Sequence, residues 1–367
     1  MSFRGKRIWM DMEEPKAAIQ FQSLFSRFKE GGATLLVTAR DFDATFKILD
    51  SLGVVYVPVG KHGGGSLLGK LESYIHRLQA LLPIVLAFSP DYLVTFASTE
   101  ALRISYGLGI PSIGFNDEPR SKAVCKLTLP YVDKVITPAC IPVEQYLELG
   151  ATREKLIRYN GIDEMGWLTH FTPDESLLEL QNLERNKYVI VRSEMTTAGY
   201  LRDAMTPGDT LITDFLPRII AACPKMTYLL IGRNEEQQHR LERQFKEEIN
   251  GGIVKITDFI PNLTNTCFYS ALVMSGGGTI VRESSLLGVP SIEFFPGNTA
   301  PQETFLRENG FPLWHLRDPS EIAKKGIDLL KARTNNWRER ESFMARIKTF
   351  DDPTEMLFQQ VKKDLST

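Results

Sequence analysis

Residues 271–290 read ALVMSGGGTIVRESSLLGVP. The apolar run Leu272–Met274 leads through Ser275 into three consecutive glycines, Gly276, Gly277 and Gly278, and Thr279 then opens a run of helical period that reaches Leu287. The pattern is strand, tight turn, helix, and the glycines let the backbone approach a ligand closely. A helix starting there offers unpaired N–H groups and the positive end of its dipole, the usual seat of a phosphate or diphosphate. Glu283 falls about one turn in, where a carboxylate can accept hydrogen bonds from ribose hydroxyls. The competing reading is a plain strand-to-helix turn. The stretch is not a P-loop, since GxxxxGK followed by Ser or Thr is absent, and it lacks the GxGxxG spacing of a dinucleotide fold.

Outward from this turn the same alternation repeats. Upstream, Arg7–Asp11, Ala33–Thr38, Val54–Val57, Asp91–Thr95, Pro111–Phe115 and Asp133–Thr137 read as strands, with helical patterns in the gaps. Turn residues in Tyr159–Thr172 interrupt the rhythm, which restarts with Tyr188–Arg192, Met226–Ile231, Gly252–Ile256, Leu272–Met274 and Ser291–Phe294. Alternation of this kind predicts mostly parallel sheets covered on both faces. The expectation is an α/β protein of two Rossmann-like, doubly wound domains, residues 1–160 and 173–335, facing a central cleft. Helices over 336–367 would follow, with the option of packing back on the first domain. In open α/β sheets ligands bind beyond the carboxyl ends of the strands, so the loops after strands are where chemistry is sought.

Composition sets outer limits. The chain has 367 residues, room for two domains at roughly 100–200 residues each. It carries 43 Lys and Arg against 45 Asp and Glu, with 43% hydrophobic residues, which excludes disordered and fibrous classes. The near-zero net charge speaks against a dedicated nucleic-acid binder. Cys125, Cys140, Cys223 and Cys267 are scattered, with no CxxC and no metal-ligand spacing, and read as reduced core residues of a cytoplasmic protein. No metal and no cofactor are expected. No apolar run reaches the length of a membrane span, which leaves at most peripheral membrane contact. Leu67–Phe88, apolar with Pro83 inside it, reads either as a helix buried against the sheet or as a membrane-facing patch.

With these residues in view, Ser275–Pro290 resembles the nucleotide-sugar diphosphate loop of the GT-B superfamily. That superfamily includes the bacterial glycosyltransferase that completes lipid II and UDP-N-acetylglucosamine 2-epimerase. Glu283 lies five residues before Gly288, where those enzymes carry the Glu that holds the donor ribose. WMDMEEP, LLVTARDFDATFKILDSLGV, VGKHGGGSLLGKL, IPSIGFNDEP, KLTLPYVDKVITP, VRSEM and FFPG together resemble the mainly archaeal family called domain of unknown function 354, over roughly Arg7 to Gly310. The family motif carries a His two residues after its Pro, and this chain has Ala17 there. The resemblance implies a GT-B fold and a nucleoside-diphosphate sugar, UDP-linked, as substrate.

Further residues are candidates for the same chemistry. Lys61-His62-Gly63-Gly64-Gly65 combines a cation, an imidazole and a flexible backbone; Lys61 and His62 are expected to contact phosphate or a substrate hydroxyl, with a flexible loop tip as the rival reading. Asp11, ending the first strand, is the candidate general base on an acceptor hydroxyl, while Glu13 and Glu14 also read as charge bias before the helix-starting Pro15. Asn116 and Asp117 are candidate ligands of sugar hydroxyls or helix N-caps. In the second half, Arg192, Ser193 and Arg233 end strands at the same edge as candidate diphosphate clamps. Superfamily resemblance places Phe259 in the segment that reads a uracil ring and Gln302, with Glu303, at the donor sugar. His76, His170, His239 and His315 show no constellation and read as structural.

The leading expectation is therefore transfer of a sugar from a nucleoside-diphosphate donor to a hydroxyl acceptor, the acceptor open to being lipid-linked, without a metal. The alternatives are a UDP-N-acetylglucosamine 2-epimerase-like enzyme, which needs acid/base groups around the sugar C2 and C3, and a sugar-nucleotide-binding protein without turnover.

Overall fold

The computed structural model describes residues 3–194, 208–332 and 337–366, without the side chains of 337 and 338. They divide into two compact units, Met1–Trp167 with Phe350–Thr367 and Leu168–Thr349. The first unit holds strands β1 (Arg7–Met12), β2 (Thr34–Asp41), β3 (Val57–Lys61), β4 (Tyr92–Thr95), β5 (Ser112–Phe115), β6 (Lys134–Pro138) and β7 (Leu156–Tyr159). The second holds β8 (Tyr188–Arg192), β9 (Thr227–Ile231), β10 (Val254–Thr257), β11 (Leu272–Ser275), β12 (Ser291–Glu293) and β13 (Leu313–His315). The sheets run β3-β2-β1-β4-β5-β6-β7 and β10-β9-β8-β11-β12-β13. Every strand pair is parallel. Each unit is thus Rossmann-like and doubly wound.

Pleat alternation assigns each face of the first sheet. Ile8, Met10 and Met12 join the core beneath helices Pro15–Gln20, Gln22–Glu30 and Pro353–Leu365, while Trp9 points to the opposite face, under Leu67–Phe88 and Thr99–Leu108. In the second unit Val189, Val191, Leu272 and Met274 pack against Ile212–Ala222 and Pro319–Lys331.

Four details differ from the sequence expectation. The third strand lies at Val57–Lys61, not Val54–Val57, paired with β2 from Thr38↔Val57 onward. It is an edge strand, which is why it tolerates Pro58 and Gly60. β7, which ends at Tyr159 where the linker was expected to begin, and β13, three residues long, were not expected. The two terminal helices part company: Trp337–Ile347 belongs to the second unit and Pro353–Leu365 to the first. Leu357 and Val361 complete the first core, and Gln20 Nε2 donates to Thr354 Oγ1 at 2.8 Å.

Candidate functional site

In the second unit β8 and β11 are neighbours from which successive connections run in opposite directions, so the crevice at their carboxyl ends is the sheet's switch point. The sequence candidates converge there. Arg192 and Ser275 are register partners, and Gly276 N donates to Arg192 O at 3.0 Å. Ser193 N donates to Ile231 O at 3.0 Å, and Arg233 Nε donates to Ser193 O at 3.1 Å. The Ser193 hydroxyl is fully buried and has no hydrogen-bond partner among the described residues.

Gly276 is required by the protein itself, since a Cβ there meets backbone as well as side chain of Glu194, whereas Gly277 and Gly278 face the movable ends of side chains. A Cβ on Gly276 would meet Glu194 Cγ at 2.3 Å, one on Gly277 would meet Arg233 Nη2 at 2.9 Å, and one on Gly278 would meet Arg282 Nη1 at 2.3 Å. Glu194 accepts from Thr210 Oγ1 (2.7 Å) and Leu211 N (2.9 Å), and its buried carboxyl is raised above the usual range by desolvation. No side chain caps the helix Gly278–Leu286 at Gly277. Its N-terminal turn, with Thr279 partly exposed, therefore faces the Arg233 guanidinium.

Around this helix the second unit is closely paired. Glu283 is buried and accepts from Thr264 Oγ1. Arg282 Nη1 lies 3.0 Å from Glu303 Oε1, while the other oxygen of Glu303 accepts from Ala300 N at 2.5 Å; Gln302 is buried in the same helical turn. His315, expected to be merely structural, stands 2.8 Å from Glu293 at the end of β13. Phe259 differs from expectation: its own N–H donates to Thr257 Oγ1 and its carbonyl accepts from that hydroxyl, so its backbone polar groups are engaged in a local turn.

In the first unit the equivalent switch point lies between β1 and β4. Asp11 is the penultimate residue of β1, on the face of the long helix Leu67–Phe88. Its Oδ1 receives Arg77 Nη2 at 2.8 Å and the Thr38 hydroxyl, and neither Asp11 nor Arg77 has side-chain surface in solvent. Arg77 also reaches Glu100 at 3.4 Å and donates to Val59 O at 2.9 Å, and its stem is why residue 60 is glycine. This geometry opposes the sequence reading of Asp11 as a general base, since its carboxylate is sealed behind Arg77, whereas Glu13, two residues on, keeps exposed surface. Glu13 pairs with Arg40 at 3.2 Å, accepts from Thr99 N at 3.2 Å, and is partly exposed. Burial, reinforced by Glu100 and Glu14 and opposed by Arg40 and Arg77, pushes its pKa up to about 7. Glu14 sits at the N-cap of Pro15–Gln20 without a capping side-chain bond, and burial raises it too.

A second carboxylate group lies beyond β5 and β7. Lys16 Nζ bridges Asp117 (2.5 Å) and Asp163 (2.8 Å) and stands 5.0 Å from the centre of the Phe96 ring. Asp163 also accepts from Tyr159 OH, and burial, together with Asp117 and Glu164 and against the pull of Lys16, pushes it up to about 7. Lys16 and Asp163 escaped the sequence reading: Asp163-Glu164 lies four residues beyond the end of β7, within the stretch taken for linker. Asn116 turns inward instead of toward a ligand: Nδ2 donates to Cys125 Sγ, and Oδ1 accepts from Glu118 N.

The Lys61–Gly65 loop is built, not slack. His62 stacks on Phe42 with ring centroids 4.3 Å apart, and its Nδ1 accepts from Gly64 N at 3.1 Å. Burial and the cations Arg40 and Lys70 lower its pKa to about 4, so at neutral pH the ring is uncharged with its proton on Nε2. Gly63 and Gly69 meet backbone to backbone, Gly64 has a φ of +73°, and Lys61 is exposed. Among the described residues no three His, Cys, Asp or Glu side chains gather to hold a metal, and no helix is long and apolar enough to cross a membrane.

Residues 6–366 match the profile of the family described as "Protein of unknown function (DUF354)". The chain belongs to that family. This DUF354 chain is 25% identical to an uncharacterised protein, MJ0665, of Methanocaldococcus jannaschii over 96% of its own length and 97% of the relative. Among solved structures it is similar to UDP-GlcNAc 2-epimerase of Methanocaldococcus jannaschii in complex with UDP-GlcNAc and UDP (TM-score 0.72, 12% identity, covering 97% and 99% of the two chains). It is also similar to UDP-GlcNAc 2-epimerase of Neisseria meningitidis bound to UDP-GlcNAc (0.71, 13%, 97% and 100%). A third likeness is to Anabaena HepE in complex with UDP and glucose (0.61, 15%, 98% and 99%). At such identities the likeness is one of fold, and that fold is GT-B-like.

Proposed function

We propose that this DUF354 chain is an enzyme acting on a UDP-linked sugar, with epimerase-type acid/base chemistry on the sugar. The observation that carries the nucleotide reading is the second unit's switch point, where an uncapped helix start, Arg233 and the buried Ser193 hydroxyl meet. The diphosphate sits on the N–H groups of Gly278 and Thr279, next to the Gly277 N–H that Ser275 Oγ takes at 3.1 Å, with Arg192 and Arg233 as counter-charges, and Glu283 takes the ribose in place of Thr264. In the first unit Glu13, partly exposed and poised near 7, can serve as an acid or a base where a plain carboxyl would be ionised. The likeness in fold to UDP-GlcNAc 2-epimerases supports chemistry on the sugar itself over simple transfer. Within the first unit the uncharged His62 ring can donate a hydrogen bond from Nε2, and the exposed Lys61 is a candidate anion contact.

Glycosyl transfer to a hydroxyl acceptor is the second reading, supported by Glu13 as a sufficient single base. The test is calorimetry of the purified chain with UDP, GDP, CDP, ADP and their sugars, repeated with Glu283→Ala, followed by NMR of the reaction mixture. Saturable UDP-sugar binding that weakens in the variant, with UDP and a 2-acetamidoglycal released, is the expected result. A new glycoside formed with an added alcohol would favour transfer, and no binding of any nucleotide would overturn both readings.

A further inference from the structure

The helix Glu235–Gln244, which follows β9, turns two residues into the second unit, Gln237 and Leu241. They stand at i and i+4 on one face, where a helix packed on a sheet ordinarily places two apolar side chains. Leu241 follows that rule and joins the core. Gln237 breaks it. The residue has no surface in solvent, and a buried amide costs free energy unless its polar atoms are bonded.

They are bonded, and every partner is main chain. Oε1 accepts from Arg233 N at 3.2 Å, and Nε2 donates to Glu194 O and to Asp209 O, each at 3.0 Å. The amide springs from the first helical turn, which is itself fixed by Gln237 N donating to the N-cap Asn234 Oδ1 at 2.8 Å. Three segments thus meet on one side chain: the turn after β9, the turn after β8, and the residues leading into Ile212–Ala222. A leucine at 237 would bury as much apolar surface and hold none of them.

The held segments carry the diphosphate candidates. Arg233 is fixed twice, by Gln237 at its main-chain N–H and by Ser193 O at its Nε, 3.1 Å away. Between these anchors its guanidinium reaches the glycine turn, where a Cβ on Gly277 would lie 2.9 Å from Nη2. An arginine on a surface turn loses rotamer freedom when it grips an anion, whereas one held at both ends is preorganised.

We infer that Gln237 is a positioning residue for diphosphate binding, acting through Arg233 and not on the ligand itself. The inference rests on the nucleotide reading of this switch point. Calorimetry with UDP and, separately, with inorganic pyrophosphate compares the wild type, Gln237→Met, Arg233→Met and the double variant, with far-UV circular dichroism and thermal melts of each. Gln237→Met should weaken both ligands about 10-fold, the scale of one charge-assisted hydrogen bond. In the double variant the loss should equal that of Arg233→Met alone to within about twofold, since Gln237 then has nothing left to position. A residue that merely supports the fold would multiply the two losses. Gln237→Glu covers a Met variant that melts early: its carboxyl still accepts from Arg233 N but donates to Glu194 O or Asp209 O only when protonated. Its affinity relative to the wild type should therefore rise as pH falls from about 8 to about 5. A Gln237→Met variant that binds like the wild type, multiplied losses in the double variant, or a Gln237→Glu affinity flat in pH would overturn the positioning role while the nucleotide reading stands. A wild type that binds neither UDP nor pyrophosphate would overturn both.

Discussion

Lys16 Nζ lies 2.8 Å from a carboxylate oxygen of Asp163, whose side chain has no surface in solvent. Asp117 shares the same ammonium at 2.5 Å, so one cation serves two buried acids. Replacing it by Met leaves both acids facing each other in low dielectric, a loss of about 3 kcal/mol on the scale of broken buried pairs. Urea unfolding of Lys16→Met measures it, and adding Asp163→Asn should recover part of the loss. A Lys16→Met variant as stable as the wild type would mean that the bridge carries no net energy.

The three glycines after β11 make a sharper contrast with those after β3. Gly276→Ala pushes a methyl into Glu194 Cγ and backbone, so the loop after β8 must shift, at a cost of about 1–3 kcal/mol. UDP binding should fall with it, because Arg233 is hung from Ser193 in that same loop. Gly65→Ala meets nothing within 4 Å and no strained φ, so neither stability nor binding should drop. Calorimetry and thermal melts of the two variants, side by side, check both halves.

The acid group predicts an unusual pH slope. Glu13 titrates near 4.5 when unfolded and near 7 when folded, so between these values the folded state binds the extra proton. Stability from this group is complete below about pH 4.5 and is lost as pH rises through 7. Asp163 acts in the same direction. His62, lowered from 6.5 to about 4, opposes them, its contribution being lost as pH falls through that window. Glu13→Gln should therefore flatten the fall in urea midpoint between pH 5 and 7, by up to a few kcal/mol. A slope unchanged by the substitution would place the proton elsewhere.

Much of the architecture was legible because the strand-end loops follow continuous β-branched runs, as at Tyr188–Arg192 and Leu272–Ser275, and a parallel sheet buries such runs on both faces. Edge and rim strands were harder. β3 contains Pro and Gly and is only partly buried, and β7 reads LIRY, too polar to signal a strand. Arg192, Ser193, Arg233 and the glycines were legible as loop residues, since their chemistry is local. Lys16, Asp163 and Arg77 were not. Each acts through a partner distant in the chain, and alone each reads as an ordinary helix or loop charge.

Asp11 provides the last test, because its position invites a catalytic reading that its surroundings oppose. One oxygen is held by Arg77 and Thr38; the other is buried without a partner among the described residues. Asp11→Asn removes the charge that balances Arg77 and leaves Glu100 as its remaining close acid, so the fold should lose about 3 kcal/mol. A general base would behave differently: turnover would vanish while stability held. The decisive variant replaces both partners, Asp11→Leu with Arg77→Met, since a buried ion pair exchanged for apolar groups of similar size is often neutral in stability. If Asp11 only anchors the long helix to β1, the double variant regains stability and measurable turnover on a UDP-sugar. If it regains stability but stays inert, while Glu13→Gln remains active, the base is Asp11 after all.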